Sequence, residues 1–316
     1  MAPYPERVLV VGAAGLIGNA LARAWGLRGA TVLGADLRCL PGGPFAAMDV
    51  AEEGRLASAL REFGPGVVAL PAANPFVDYC EAHPEETRRV NVEAPAAAAL
   101  ECAAAGARLV FFSSDYVFDG AKERYAEEDP VCPINEYGRQ KAEAERAVLA
   151  AGGRHLVVRS SGVYGWQWLP KNFVLQVLKA LGQGKRLRVP HDIRYNPTYV
   201  ENLAEVTVDL CAARAEGVFH VVGADRLARD RFAREVADVF GLDGSLIEPA
   251  VPPGACGRGT LPQAPRPKES SLATDKVRAL VRTPLWGARL GLEDMLRQRP
   301  AWDAYAAVNL PRPGPI

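Results

Sequence analysis

The stretch Arg7-Val8-Leu9-Val10-Val11-Gly12-Ala13-Ala14-Gly15-Leu16-Ile17-Gly18 decides how this chain folds. The aliphatic run Val8 to Val11 suits a strand covered on both faces, as in a parallel sheet. Leu16 to Leu27 then reads as a helix. Glycines at 12, 15 and 18 leave a turn whose backbone N–H groups point outward at the positive end of that helix. A strand, a glycine-spaced turn and a helix start, in that order, make an anion site. The first expectation is therefore a phosphate-bearing nucleotide.

The same alternation continues outward from this unit. Strands are expected at Thr31 to Ala35, Phe45 to Met48, Gly66 to Leu70, Arg108 to Ser113 and His155 to Arg159, with a returning strand at Gly217 to Val222. Helices are expected at Glu52 to Phe63, Glu85 to Ala105, Glu136 to Ala151, Lys171 to Leu181, Tyr199 to Ala213 and Phe232 to Phe240. Strands alternating with helices imply parallel pairing, so the expected class is α/β with a doubly wound sheet. Such a sheet binds its ligand at the carboxyl ends of its strands. Pro249 to Pro267 is rich in Pro and Gly and reads as coil. The run Lys185-Arg186-Leu187-Arg188 reads as a strand face.

Composition narrows the function. The 316 residues carry equal numbers of acidic and basic side chains, so nothing favours nucleic acid or an anionic membrane as partner. No apolar run approaches the roughly 20 residues that span a bilayer, and the N-terminus lacks a signal-peptide pattern. A cytoplasmic location is the expectation. The cysteines at 39, 80, 102, 132, 211 and 256 form no C-x-x-C pair and read as free thiols; no metal site is expected.

Two further features carry chemistry. Asp36 ends the second strand, where a carboxylate can accept both hydroxyls of an adenosine ribose and repel a 2′-phosphate. That favours NAD, although Arg38 leaves NADP open. Tyr137 and Lys141 lie four apart, on one face of a helix. The ammonium is expected to lower the phenol pKa and let it exchange a proton with a carbonyl oxygen. Ser114, at the carboxyl end of the strand from Arg108, can hold that oxygen.

With these residues in view, the chain resembles the extended short-chain dehydrogenase/reductases. Ser113-Ser114-Asp115-Tyr116-Val117-Phe118-Asp119-Gly120 is similar to a block of dTDP-4-dehydrorhamnose reductases, shared with the regulatory β-subunit of methionine adenosyltransferase. Asn91-Val92, Glu127-Glu128-Asp129, Val163-Tyr164-Gly165, Pro197-Thr198-Tyr199-Val200 and Thr283-Pro284-Leu285 extend the likeness over roughly residues 6 to 300. The resemblance implies a Rossmann domain over 1–165, rejoined by 196–223, and a smaller substrate-binding region from 166–195 and 224–316. It implies Gly12, Gly15, Leu16 and Ile17 at a pyrophosphate, Asp36, Leu37 and Arg38 at the ribose, and Asp49 and Val50 at the adenine. Ala72 and Ala73 would line the cofactor cleft. Ser114, Tyr137 and Lys141 would be the catalytic trio. Tyr164, Asn172, Asp192, Asn196, Thr198 and Arg266 would face the sugar nucleotide, with Ser114.

The implied activity is reduction of a 4-keto deoxysugar nucleotide by NAD(P)H, with Tyr137 as proton donor. Two alternatives stand beside it: a nucleotide-sugar epimerase or dehydratase, and a non-catalytic regulatory subunit. The expected assembly is a homodimer through the helices Glu85 to Ala105 and Glu136 to Ala151. One departure is visible: the reductases carry a tryptophan before the Val-Tyr-Gly step, and this chain has Gly162. Trp166 and Trp168 lie nearby as possible replacements.

Overall fold

The computed structural model describes residues 6–37, 45–167, 171–250 and 263–309. Arg38, Cys39, Trp168 and Cys256 lie outside them, as does most of the Pro/Gly-rich coil. The first half alternates as β1 (Arg7–Val11), α1 (Leu16–Leu27), β2 (Thr31–Asp36), β3 (Phe45–Ala47), α2 (Arg55–Phe63), β4 (Val67–Leu70), α3 (Val77–Ala82), α4 (Pro84–Arg88), α5 (Ala94–Ala104), β5 (Arg108–Ser114), α6 (Glu136–Ala150) and β6 (Leu156–Ser160). There follow β7 (Val163–Tyr164), α7 (Phe173–Gly182), β8 (Leu187–Pro190), β9 (Arg194–Tyr195), β10 (Thr198–Tyr199), α8 (Val200–Ala212), β11 (Gly217–His220), β12 (Leu227–Ala228), α9 (Arg229–Phe240), β13 (Ile247–Ala250), α10 (Asp275–Leu280) and α11 (Ala288–Asn309).

Seven strands pair in parallel in the order β11-β6-β5-β4-β1-β2-β3. The chain starts in the middle at β1, winds outward through β2 and β3, then crosses back to β4 and winds the other way. The reversal opens a crevice past the carboxyl ends of β1 and β4. Each face is covered because the strand side chains are apolar on both sides. Val8, Val10, Val110 and Phe112 meet Leu21 and Trp25 of α1 and Leu203 of α8 on one face. Leu9, Val11, Leu109 and Phe111 meet Leu56, Ala98 and Val148 of α2, α5 and α6 on the other. A further cluster joins Val174 and Val177 of α7, Phe232 and Val236 of α9, and Leu292 and Met295 of α11.

The helix expected without interruption over 85–105 is two helices joined by a π turn at Arg89–Glu93, where the Ala94 N–H reaches back to Arg89 O. Pro95 gives the reason: it has no N–H to offer the Asn91 carbonyl, so the ladder widens just before it. The short helix α3 was not expected. Among the described residues no helix is long and apolar enough to cross a membrane, and no group of three or more His, Cys, Asp or Glu is placed to hold a metal ion. Cys80, Cys102, Cys132 and Cys211 are free thiols.

Candidate active site

The crevice begins at the glycine turn. Gly12 has φ +94°, and a β-carbon on it would lie 2.9 Å from the Ala72 nitrogen, so β1 and the loop after β4 approach as closely as backbones can. Gly12 and Ala13 N–H both donate to Ala35 O, at 2.7 and 3.1 Å, and Ala72 N–H donates to Val11 O at 3.2 Å. The turn is thus fixed from both sides. The start of α1 carries no side-chain cap and no acidic residue in its first turn. Its positive end therefore has no anion of its own, and the cradle fits a dinucleotide pyrophosphate. Asp36 is buried and accepts the Ala14 N–H at 3.0 Å, which couples the end of β2 to the glycine turn. Leu37 beside it is largely exposed. Asp49 closes its own turn by accepting from Ala51 N–H at 2.9 Å, and Val50 packs against the sheet.

The loop after β4, with Ala72 and Ala73, is held by a residue whose role the sequence reading did not see. Asn91 is fully buried in the π turn. Its Oδ1 accepts from Asn74 N–H at 2.8 Å, and its Nδ2 donates to Asn74 O at 3.2 Å and to Gln140 Oε1 at 2.8 Å. A lone asparagine amid the alanines of this segment was the available signal.

Ser114, Tyr137 and Lys141 converge at the carboxyl end of β5. Asn135 caps α6 by accepting from Gly138 N–H at 2.8 Å, and its Nδ2 holds Pro265 O at 2.9 Å. A β-carbon at Gly138 would lie 2.1 Å from Tyr116 O, so glycine lets the start of α6 press on the turn that follows Ser114. The Ser114 side chain pulls the Tyr137 phenol down against its burial, and its hydroxyl donates to Asp115 Oδ1 at 2.9 Å. Asp115 is itself buried, and its Oδ2 accepts from Ser161 at 2.7 Å and Ser270 at 2.6 Å. Burial pushes its carboxyl up, and the three hydroxyls pull it down. Lys141 Nζ donates to Phe112 O at 2.9 Å and stands 5.9 Å from the Tyr137 ring centre. Ser113 Oγ, buried in the same strand, has no hydrogen-bond partner.

One expectation is corrected here. Lys141 does not bring the Tyr137 phenol down: burial first, and then the Asp115 charge, push it well above its ordinary value. The ammonium yields instead, falling to about 8, because burial disfavours its charge.

The residues expected on the sugar side separate into two groups. Tyr164, Asn172, Asn196 and Thr198 spend their polar atoms on the frame. Tyr164 Oη donates to Ala288 O at 3.0 Å, and Asn172 caps α7 while donating to Gly165 O at 2.9 Å. Asn196 Nδ2 donates to Gly223 O and Asp225 O, both at 3.1 Å, and Thr198 Oγ1 donates to Asn196 O at 3.0 Å. Asp192 pairs with Lys268 at 3.2 Å, and Arg266 pairs with Asp78 at 2.9 Å. The ring beside Ser114 is Tyr116, edge-on to Tyr137 at 6.0 Å between centres. The missing tryptophan also has a structural counterpart. Gly162 has φ +50°, and a β-carbon there would lie 2.2 Å from the Tyr195 ring. Tyr195, 33 residues on, occupies the space a side chain at 162 would need. Trp166 turns elsewhere, stacking on Trp302 and donating to Met295 O at 2.7 Å.

Residues 6–300 match the family model described as the RmlD substrate binding domain. The chain belongs to that family. It is 30% identical to methionine adenosyltransferase 2 subunit beta of Bos taurus over 92% of this chain and 87% of that one. It is 32% identical to a dTDP-4-dehydrorhamnose reductase of Sinorhizobium fredii over 75% of this chain and 82% of that one. Among solved structures, a dTDP-4-dehydrorhamnose reductase of Clostridium acetobutylicum superposes with a TM-score of 0.82 at 27% identity, covering 93% and 99% of the two chains. The fold is therefore the Rossmann-like α/β fold of this RmlD relative, with the candidate site at its topological switch point.

Proposed function

We propose that this RmlD-family chain is an NAD(P)H-dependent reductase of a nucleotide-linked 4-keto sugar. One observation carries the reading: a serine hydroxyl, a phenol and a buried ammonium meet at the carboxyl end of β5, in the same crevice as the glycine turn. The nicotinamide cofactor, when bound, supplies the hydride. Gly12, Gly15, Leu16 and Ile17 would take its pyrophosphate and Asp36 its adenosine ribose, the carboxylate favouring NADH. Ser114 would hold the substrate oxygen. The Tyr137 phenol, protonated throughout the neutral range, would give that oxygen its proton. Lys141 would hold a charge beside the phenolate left behind. The reductase relative supports the substrate class.

A second reading, a nucleotide-binding regulatory role, is supported by the likeness to the methionine adenosyltransferase subunit, 30% identical over 92% of this chain. The dehydratase reading has less support, since both Asp115 oxygens are already engaged by serines.

Absorbance at 340 nm with a panel of 4-keto nucleotide sugars tests the proposal. NADH is expected to be oxidised by at least one of them, and Tyr137→Phe is expected to abolish turnover while leaving NADH affinity unchanged. NADH binding without oxidation on any substrate would move the assignment to the regulatory role. Undiminished turnover in Tyr137→Phe would remove the mechanism.

A further inference from the structure

The N-terminal ends of β4 and β5 border a cavity of about 410 Å³. It lies at the opposite end of β5 from Ser114, roughly 20 Å along the strand. Its wall is apolar at Val67, Ala103 and Ala212 and cationic at Arg108, Arg154 and Arg214. Arg108 donates to Arg154 O at 2.7 Å, to Cys211 O at 3.4 Å and to Ala215 O, which ties the start of β5 to the loop before β6 and the end of α8. All of these acceptors are carbonyls, and among the described residues no carboxylate lies within ion-pair distance of Arg108. Burial pushes its pKa down, and the charges of Arg154 and Arg214 act in the same direction. Arg154 pairs with Glu216 at 3.2 Å.

Arg214 is the unusual member. It ends α8 with φ +56°, in the left-handed region where glycine is the residue of least cost. The helices α1, α2, α5, α6, α7 and α9 are each followed, one or two residues on, by a glycine in that region. The turn itself is closed by main-chain bonds alone, Arg214 N–H to Cys211 O at 3.0 Å and Ala215 N–H to Leu210 O at 2.9 Å, and glycine would make both. Among the described residues the Arg214 guanidinium makes no hydrogen bond and no ion pair. A side chain that costs backbone strain and bonds nothing in its own chain points to an acceptor from outside. One donor in the same wall is also unspent. The buried His155 ring lies against Gly153; its Nδ1 accepts from Leu109 N–H at 3.2 Å, and its Nε2 has no partner.

We propose that this cavity is a second ligand site, which takes a small organic carboxylate with its apolar body on Val67 and Ala103 and its charge held by Arg214 and Arg154. A bare inorganic anion would leave the apolar wall uncovered, and an uncharged apolar molecule would leave the guanidinium groups unanswered. No residue of the crevice takes part, so the site is independent of the reductase reading.

The test is calorimetric titration of the full chain with octanoate, beside sulfate as the bare anion and 1-octanol as the uncharged body. Octanoate is expected to bind the wild type about tenfold or more tightly than either control. Arg214→Gly is expected to weaken octanoate by about tenfold or more while Tm holds or rises, because the turn keeps both main-chain bonds and loses its strain. Arg214→Lys is expected to recover part of the binding as a point charge. Gain of stability with loss of binding is an outcome that a merely structural arginine would not give. Absence of octanoate binding to the wild type, equal binding of sulfate or 1-octanol, equal affinity in Arg214→Gly, a fall in its Tm, or competition between octanoate and NADH would each overturn the assignment.

Discussion

At the scale of the residue, Lys141 is held at an energetic disadvantage. Its side chain is only 3% exposed, and its pKa falls from 10.5 to about 8. Folding therefore disfavours its charge. The cost is complete below pH 8, shrinks as the pH rises from 8 to 10.5, and vanishes above that. Lys141→Met is expected to raise Tm at pH 7 by a few degrees and to abolish turnover, with the gap in Tm narrower at pH 9.5 than at pH 7. Differential scanning calorimetry at the two pH values checks this. The same titration gives wild-type NADH oxidation a limb that falls as the pH rises through about 8, because the ammonium beside the phenol is then lost. The pairing of Tyr137 with Lys141 was legible from spacing alone. The direction of the phenol shift was not, because spacing names neighbours but not the medium between them. Burial outweighs an ammonium whose Nζ is turned to Phe112 O.

At the scale of the element, local signals were read well and cross-chain ones were missed. The β1–turn–α1 unit lies within 21 residues, and all its cues are contiguous. The π turn depends on one absent N–H at Pro95, which a periodicity of apolar residues does not register. Its consequence is large, because Asn91 within it clamps the loop that carries Ala72 and Ala73 to α6. Asn91→Ala leaves buried donors and acceptors without partners and is expected to cost about 2 kcal/mol or more. Urea denaturation reads that cost. NADH titration of the same variant is expected to show weaker binding, because the loop facing Gly12 is no longer fixed.

At the scale of the whole molecule, a buried polar knot ties five separate segments together. Arg159 on β6 makes a buried pair with Glu145 on α6 at 2.7 Å, and its NH1 reaches Glu127 O at 3.4 Å. His220 on β11 is fully buried, with Nε2 3.3 Å from Arg159 NH1 and Nδ1 3.2 Å from Ala273 O. Arginine only donates, so Nε2 must accept and Nδ1 carries the proton. Burial, and then the Arg159 charge, lower the imidazole from 6.5 to about 3. The neutral ring therefore contributes stability that is complete above pH 6.5 and is lost as the pH falls toward 3. Tm is expected to decline across that window, and His220→Gln is expected to flatten the decline, as a pH series of thermal melts would show. This knot joins residues 127 to 273, and sequence proximity gave no sign of it. The parallel order of the sheet, by contrast, followed from the simple alternation of its strands and helices.

Gly162 and Tyr195 also bear on how such a cleft can change over time. The ring at 195 sits in the volume that any larger residue at 162 would claim. The two positions therefore behave as a single unit of inheritance. A lineage that acquires a side chain at 162 must first vacate 195, and each half-step passes through either a clash or a hole. Reshaping this cleft would have to exchange both positions at once.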